Sequence, residues 1–176
     1  LVVPTVDGAA PSAGAGAHDA AAWRASIVGG LPDAVAPPFG ALGALLARDA
    51  AERRGPAWGE ALRRTVDGVA GLTAIDGATI VDRAFTVLAF GAKITPRRGS
   101  APVDRVLATE PVAGSTAEVV APSQLGGTRH LSAAQFVHDQ RDALAMVASQ
   151  DGRFTVFAWS PCEGMVHAHR VETLLM

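Results

Sequence analysis

Ala143-Leu-Ala-Met-Val-Ala-Ser149, then Gln150-Asp151-Gly152, then Arg153-Phe-Thr-Val-Phe-Ala-Trp159 is the most decisive stretch of this chain. Two apolar, strand-forming runs flank an Asp-Gly pair, and that arrangement is among the stronger short-range signals for a β-hairpin. Met165 to Val171 adds a last strand beyond the turn Ser160-Pro161-Cys162-Glu163-Gly164. On the other side, Gly126-Gly127-Thr128-Arg129-His130 leads into a helix from Ser132 to Gln140. Further upstream, Ala78 to Val81 and Phe85 to Phe90 read as strands joined by an Asp82-Arg83 turn. Val103 to Ala108 and Ala117 to Ala121 are weaker strand signals, separated by Pro111 and Gly114-Ser115.

Before Gly71 the period is that of helices. Leu42, Leu45, Leu46 and Ala50 form one stripe of a helix expected to end near Arg54-Gly55-Pro56. Trp58, Ala61, Leu62, Val66 and Val69 repeat the spacing, with Glu60, Arg63, Arg64 and Asp67 on a solvated outer face. No internal repeat is present. Helices first, then mainly hairpin-linked strands with one helix between them, predict a single α/β (α+β) domain: a mixed, twisted sheet flanked by helices.

Composition agrees. The 176 residues are 49% hydrophobic and 18% charged, enough apolar material for a core and too little charge for wholesale disorder. A net charge of -2 gives no basic excess of the kind a DNA or RNA groove shows. No apolar run approaches the roughly 20 residues that cross a bilayer. The single Cys162 excludes an intrachain disulfide and fits a reducing compartment, so the expected location is cytoplasmic. Residues 1–37, rich in Ala, Gly and Pro, read as an arm or linker, with Leu1-Val2-Val3 and Ile27-Val28 able to pin it to a sheet. Residues 38–176 read as the folded domain. A start at Leu1, with neither initiator Met nor a secretory pattern, reads as part of a longer multidomain protein.

Two segments carry possible chemistry. Asp76-Gly77-Ala78 sets a carboxylate and a glycine directly before a strand. A carboxylate there can hold Mg²⁺ or Mn²⁺ against a nucleotide phosphate, and glycine lets a ligand approach the backbone; the plain alternative is an Asx turn that starts a strand. Gly126 to His130 reads either as an anion-binding turn or as a glycine turn with Thr128 as N-cap and an exposed Arg129. Free N–H groups at a helix start, a hydroxyl, a guanidinium and an imidazole all suit phosphate oxygens. Neither segment matches a Walker A loop or a Rossmann fingerprint.

Together the two segments resemble the signature pair of the diadenylate cyclase (DAC) domain family, which carries Asp-Gly-Ala, then Gly-Thr-Arg-His-Arg opening a helix, then a strand ending in Ser. Here these are Asp76-Gly77-Ala78, Gly127-Thr128-Arg129-His130, and Ala143 to Ser149. The resemblance spans about residues 71 to 160. It implies a DAC-like mixed sheet with an ATP pocket, and two domains meeting face to face as a homodimer to condense two ATP into cyclic di-AMP with a divalent metal. Asp76 then matches the acid that holds the metal and helps activate the attacking 3′-hydroxyl. Gly77 and Ala78 match backbone near the nucleotide, Gly127, Thr128, Arg129 and His130 the phosphate-handling loop, and Ser149 a Ser close to the nucleotide. Phosphoryl transfer needs mainly positioning and charge neutralisation, which such residues supply.

Two departures matter. The second Arg of the family's Arg-His-Arg is Leu131, and an Arg that supplies charge in phosphoryl transfer can be worth on the order of 10³ in rate. The segment between the motifs is also long, with the excess around Thr95 to Ser115; it is placed either to cover the pocket or to block pairing of two domains. Arg97 and Arg98 within it are either replacements for the missing cation or solvated loop charges. The combination looks like the DAC-derived sensor-type domains, for which the resemblance implies nucleotide-dependent signalling without synthesis of cyclic di-AMP. The expectation is therefore a nucleotide-binding sensor, with an active diadenylate cyclase and a structural module with a vestigial pocket as rivals. His167 and His169 share a strand face without a third metal ligand in reach, and Cys162 is a lone turn cysteine without a placed base.

Overall fold

The computed structural model describes residues 2–4, 34–112, 114–149 and 152–171. Its centre is the expected hairpin. Strand β7 (Ala143–Ala148) pairs antiparallel with β8 (Phe154–Ser160), from Leu144 opposite Ala158 to Ala148 opposite Phe154. Ser149 N–H donates to the Arg153 carbonyl (2.8 Å) and Gly152, at φ +80°, closes the turn onto the Ser149 carbonyl. Gln150 and Asp151 lie outside the described residues. Strand β9 (Met165–Val171) continues antiparallel from Ser160 opposite Met165, through a turn closed by the Gly164 N–H on the Ser160 carbonyl.

Around this core the described strands form one mixed sheet in the order β2-β4-β3-β1-β7-β8-β9-β5-β6. Strand β3 (Ala78–Val81) and β4 (Val87–Ala92) are antiparallel; β1 (Val2–Pro4) runs parallel to β3 and antiparallel to β7. Strand β2 (Ala34–Phe39) lies along β4. The stretch expected as an arm or linker thus gives the sheet one strand near each of its ends, and Pro38 stands within β2 rather than at a boundary. Ile27-Val28 falls outside the described residues. Strand β5 (Val106–Thr109) is parallel to β9, and β6 (Glu118–Val120) closes that edge. The excess segment between the motifs therefore extends the sheet. The class is α+β, one domain, as expected.

Helices cover opposite faces. Ile80 and Val81 are consecutive on β3 and so point to opposite sides. Ile80 joins the core under helix α4 (Thr128–Asp139), with Ala133, Ala134, Phe136 and Val137 packed among Ala145, Phe157, Val166 and Ala168. Val81 and Val87 meet Val69 and Leu72 of α2 (Pro56–Thr73) on the other face. Helix α4 begins four residues earlier than its apolar spacing suggested, because Gly127 already turns the chain and its carbonyl accepts the His130 N–H (3.0 Å). A short helix, α3 (Pro122–Leu125), precedes it.

Three expectations need correction. The first helix is only α1 (Ala41–Leu46): the Trp58 indole takes the Leu45 carbonyl (2.9 Å), and Asp49 Oδ1 accepts the Glu52 N–H (2.8 Å) to start a separate 3₁₀ turn, Glu52–Arg54. A side-chain cap competing with helix continuation is the physical reason, and it leaves Ala50 exposed. Val66 likewise leaves the apolar stripe of α2 and stands 45% exposed. The β3–β4 turn is longer than Asp82-Arg83. Asp82 Oδ1 accepts the Thr86 N–H (2.8 Å), Phe85 sits at φ +58° in the left-handed region, and β4 starts at Val87.

The C-terminal end of α4 fastens the long inter-motif segment. The Asp139 side chain, 1% exposed, accepts from the Arg97 N–H (2.7 Å), Ser100 Oγ, Gln135 Nε2 (3.1 Å) and His138 Nδ1 (3.0 Å). Gln135 also accepts the Val103 N–H (2.9 Å). Burial pushes the Asp139 carboxyl up, but the Ser100, Arg97, Gln135 and His138 hydrogen bonds together hold it below its ordinary value. A negative charge at a helix C-terminus opposes the macrodipole, so those donors are what make it tolerable. Asp139→Ala is expected to cost about 3 kcal/mol at neutral pH, since it orphans several donors at once. A lowered folded pKa contributes stability above the unfolded value of about 3.9 and loses it as pH falls through the folded value. In urea titrations the gap between wild type and Asp139→Ala should therefore shrink in acid; an equal midpoint at neutral pH, or a gap that widens in acid, contradicts the assignment.

Candidate functional site

The register brings the two motifs to one end of the sheet. Val2 pairs with both Ile80 of β3 and Ala145 of β7. Because β3 and β7 run in opposite directions, Ala78 is level with Val147, two residues back on one strand and two forward on the other. Asp76 and Ser149 therefore leave the sheet at the same end, two strand spacings or about 10 Å apart. The first turn of α4 crosses that end.

Each motif residue then has a definite place. Gly77 adopts φ +122°, and a Cβ there would stand 2.4 Å from the Gly91 carbonyl carbon. The glycine is required because β4 passes against it, where the β3–β4 register shifts between Ala78 and Ile80. This close approach is by the protein's own backbone, where the sequence left room for a ligand or a plain Asx turn. Ala78 packs at the margin of the core.

Gly127 is the N-cap of α4, with no side-chain cap and open space where a Cβ would be. Thr128 and Arg129 on the first turn are exposed. His130 is not: it is 4% exposed, with its ring turned back over Gly126, edge-on to Phe157 at 6.0 Å, and Nε2 3.5 Å from Ser149 Oγ. A Cβ on Gly126 would fall 2.3 Å from His130 Nδ1. His130 and Ser149 thus tie the start of α4 to the end of β7, while Thr128, Arg129 and the helix N–H groups face outward. A helix start carries roughly half a positive charge, so this turn favours an anion.

Opposite it, Asp76 is 88% exposed and ion-paired through Oδ2 with Lys93 Nζ. The Lys93 ammonium, by its hydrogen bond and its charge, holds the Asp76 carboxyl below the ordinary value; what burial there is works the other way, and the Arg129 guanidinium adds to the lowering. Arg129 and Asp76, far apart in sequence, are thus within electrostatic reach. Lys93 was missed in the sequence. Its available signal was compositional, as it is the only lysine of the chain.

The residues as placed do not present Asp76 as a free carboxylate for a divalent cation. One oxygen is held by the Lys93 ammonium. Arg97 starts from the other end of α4, not from the turn that carries Leu131. The Arg97 backbone is fixed to Asp139, about 16 Å along α4 from Thr128 at 1.5 Å per residue. His167 and His169 stack at 3.9 Å on the sheet face away from α4, where His169 Nδ1 meets Thr109 Oγ1 at 3.0 Å. Cys162 is exposed in the β8–β9 turn.

No family model, curated protein or solved structure matches this chain. No helix among the described residues is long and apolar enough to cross a membrane.

Three glycines of the two motifs should separate cleanly in thermal unfolding. Gly77→Ala, which forces a Cβ into the β4 backbone at a left-handed φ, is expected to be the most damaging. Gly126→Ala, which must expel the His130 ring, should lower Tm by about 5 °C. Gly127→Ala, facing open space, should shift it by no more than about 1 °C. Equal losses at all three positions would show that the His130 and Gly91 contacts are not what these glycines serve.

Proposed function

We propose that this domain binds a nucleotide through its phosphates where Asp76 and the first turn of α4 meet, and that it acts as a DAC-derived sensor. The observation that carries the reading is convergence. Two segments that chain connectivity does not hold together come to one end of the sheet: Asp76 ahead of β3, and the uncapped start of α4, which His130 ties to Ser149 of the β7 end. An exposed guanidinium, a threonine hydroxyl and a helix start without a side-chain cap form a suitable donor set for phosphate oxygens. Arg129 supplies forked donors, Thr128 a single adjustable one, and Gly127 leaves room for the ligand to approach the backbone. His130 and Ser149 act as positioning residues that hold this turn against β7.

A sensor is favoured over the cyclase by Leu131. It stands on the same first turn, 42% exposed, and brings an apolar surface where the resembled family has a second phosphate-directed Arg. Binding tolerates that loss better than phosphoryl transfer does, because transition-state charge is what such a cation serves. A homodimer and a divalent metal belong to the cyclase form of the reading.

Calorimetric titration with ATP and a panel of adenine and guanine nucleotides tests this. Arg129→Ala should weaken binding of the best ligand by about tenfold or more, since it removes charge-assisted hydrogen bonds, without moving Tm of the free domain. Unchanged affinity for every nucleotide sinks the site. Cyclic di-AMP formed from ATP and Mn²⁺ over many turnovers, and lost in Asp76→Asn, would replace the sensor by the cyclase.

A further inference from the structure

Lys93 lies one residue beyond Ala92, the partner of Ala78, so the strand register itself carries its ammonium to the carboxylate that precedes β3. We infer that Lys93 takes the place of a divalent cation at Asp76, so that the domain receives nucleotide phosphates without metal; this rests on the nucleotide reading above. The pair is exposed on both sides, 59% for Lys93 and 88% for Asp76. An ion pair in that setting contributes little to stability, so folding is a weak reason for it.

The charge balance points the same way. Asp76 carries one negative charge, against the positive charges of Lys93 and Arg129 and the positive end of α4. The sum is positive, which repels a free Mg²⁺ and attracts a polyphosphate. A divalent cation at Asp76 would also have to compete with the Lys93 ammonium, which already engages one carboxylate oxygen. An ammonium has three donors. Asp76 accepts one, which orients the group, and two remain for phosphate oxygens. The other 14 of the 15 Lys and Arg side chains are Arg, whose planar fork suits paired carboxylate or phosphate oxygens; a lysine ammonium occurs only here.

The test is titration of ATP into the whole chain with excess Mg²⁺ or with EDTA, for wild type and Lys93→Met, which keeps an unbranched side chain up to the ε position and removes the ammonium. Wild-type affinity should agree within about twofold between the two conditions. Lys93→Met should lose about tenfold in EDTA and recover much of it with Mg²⁺, because the freed Asp76 can then take a cation. Acetylation of Lys93, mapped by peptide mass, should slow when ATP is present in EDTA. Wild-type binding that requires Mg²⁺, or a Lys93→Met variant indistinguishable from wild type in EDTA, overturns the inference and leaves the nucleotide reading standing. No binding of any nucleotide under either condition removes both.

Discussion

The packing of α4 across the sheet is the contact on which the remainder depends. Phe136, Val137 and Ala134 are fully enclosed against Phe157, Val166 and Ala168, and truncating a side chain as large and as buried as Phe136 typically costs about 3–5 kcal/mol. With its apolar face held there, the helix offers two ends with different tasks. The N-terminal turn, left uncapped, looks out past Asp76; the C-terminal turn holds Arg97 to Val103 through Asp139 and Gln135. A rigid rod of 12 residues separates the open end from the fastened one.

That separation shapes the electrostatics. The segment that lengthens the distance between the motifs is drawn to the closed end of α4 and then spent on β5 and β6, so it neither crosses the open end nor lends it Arg97. The open end draws its second cation from β4 instead, where Lys93 follows the strand paired to β3. Two cations around one carboxylate, beside a helix start, make a small positive concentration on a chain whose net charge is -2. Local arrangement, rather than overall charge, decides where positive potential gathers.

Much of the fold was legible. The Asp-Gly hairpin, the strands Ala78 to Val81 and Met165 to Val171, and the long amphipathic helix after Pro56 all follow from period and turn chemistry acting over a few residues. Failures came where a side chain competed with the backbone: Asp49 stopping a helix, Asp82 enlarging a turn. The site was half legible. Gly127, Thr128 and Arg129 occupy the outward turn that their types suggested, whereas His130 faces inward because a ring at the third helical position lies over Gly126 and reaches β7. Gly77 was singled out for the right property, a backbone that admits close approach, but the approaching group is Gly91.

From sequence alone came the central hairpin, the strands Ala78–Val81 and Met165–Val171, the two long helices, the α+β class, and the residue types able to meet a phosphate. These depend on interactions within a turn or two of chain, where spacing carries the information. The tertiary structure decided that β1 stands between β3 and β7, that Asp76 pairs with Lys93, and that the Arg97 backbone is fastened to Asp139. Such placements hang on strand order and register between distant segments, where a shift of one residue reverses every side chain. Local spacing does not encode that choice; the burial of one face of the sheet under α4 makes it.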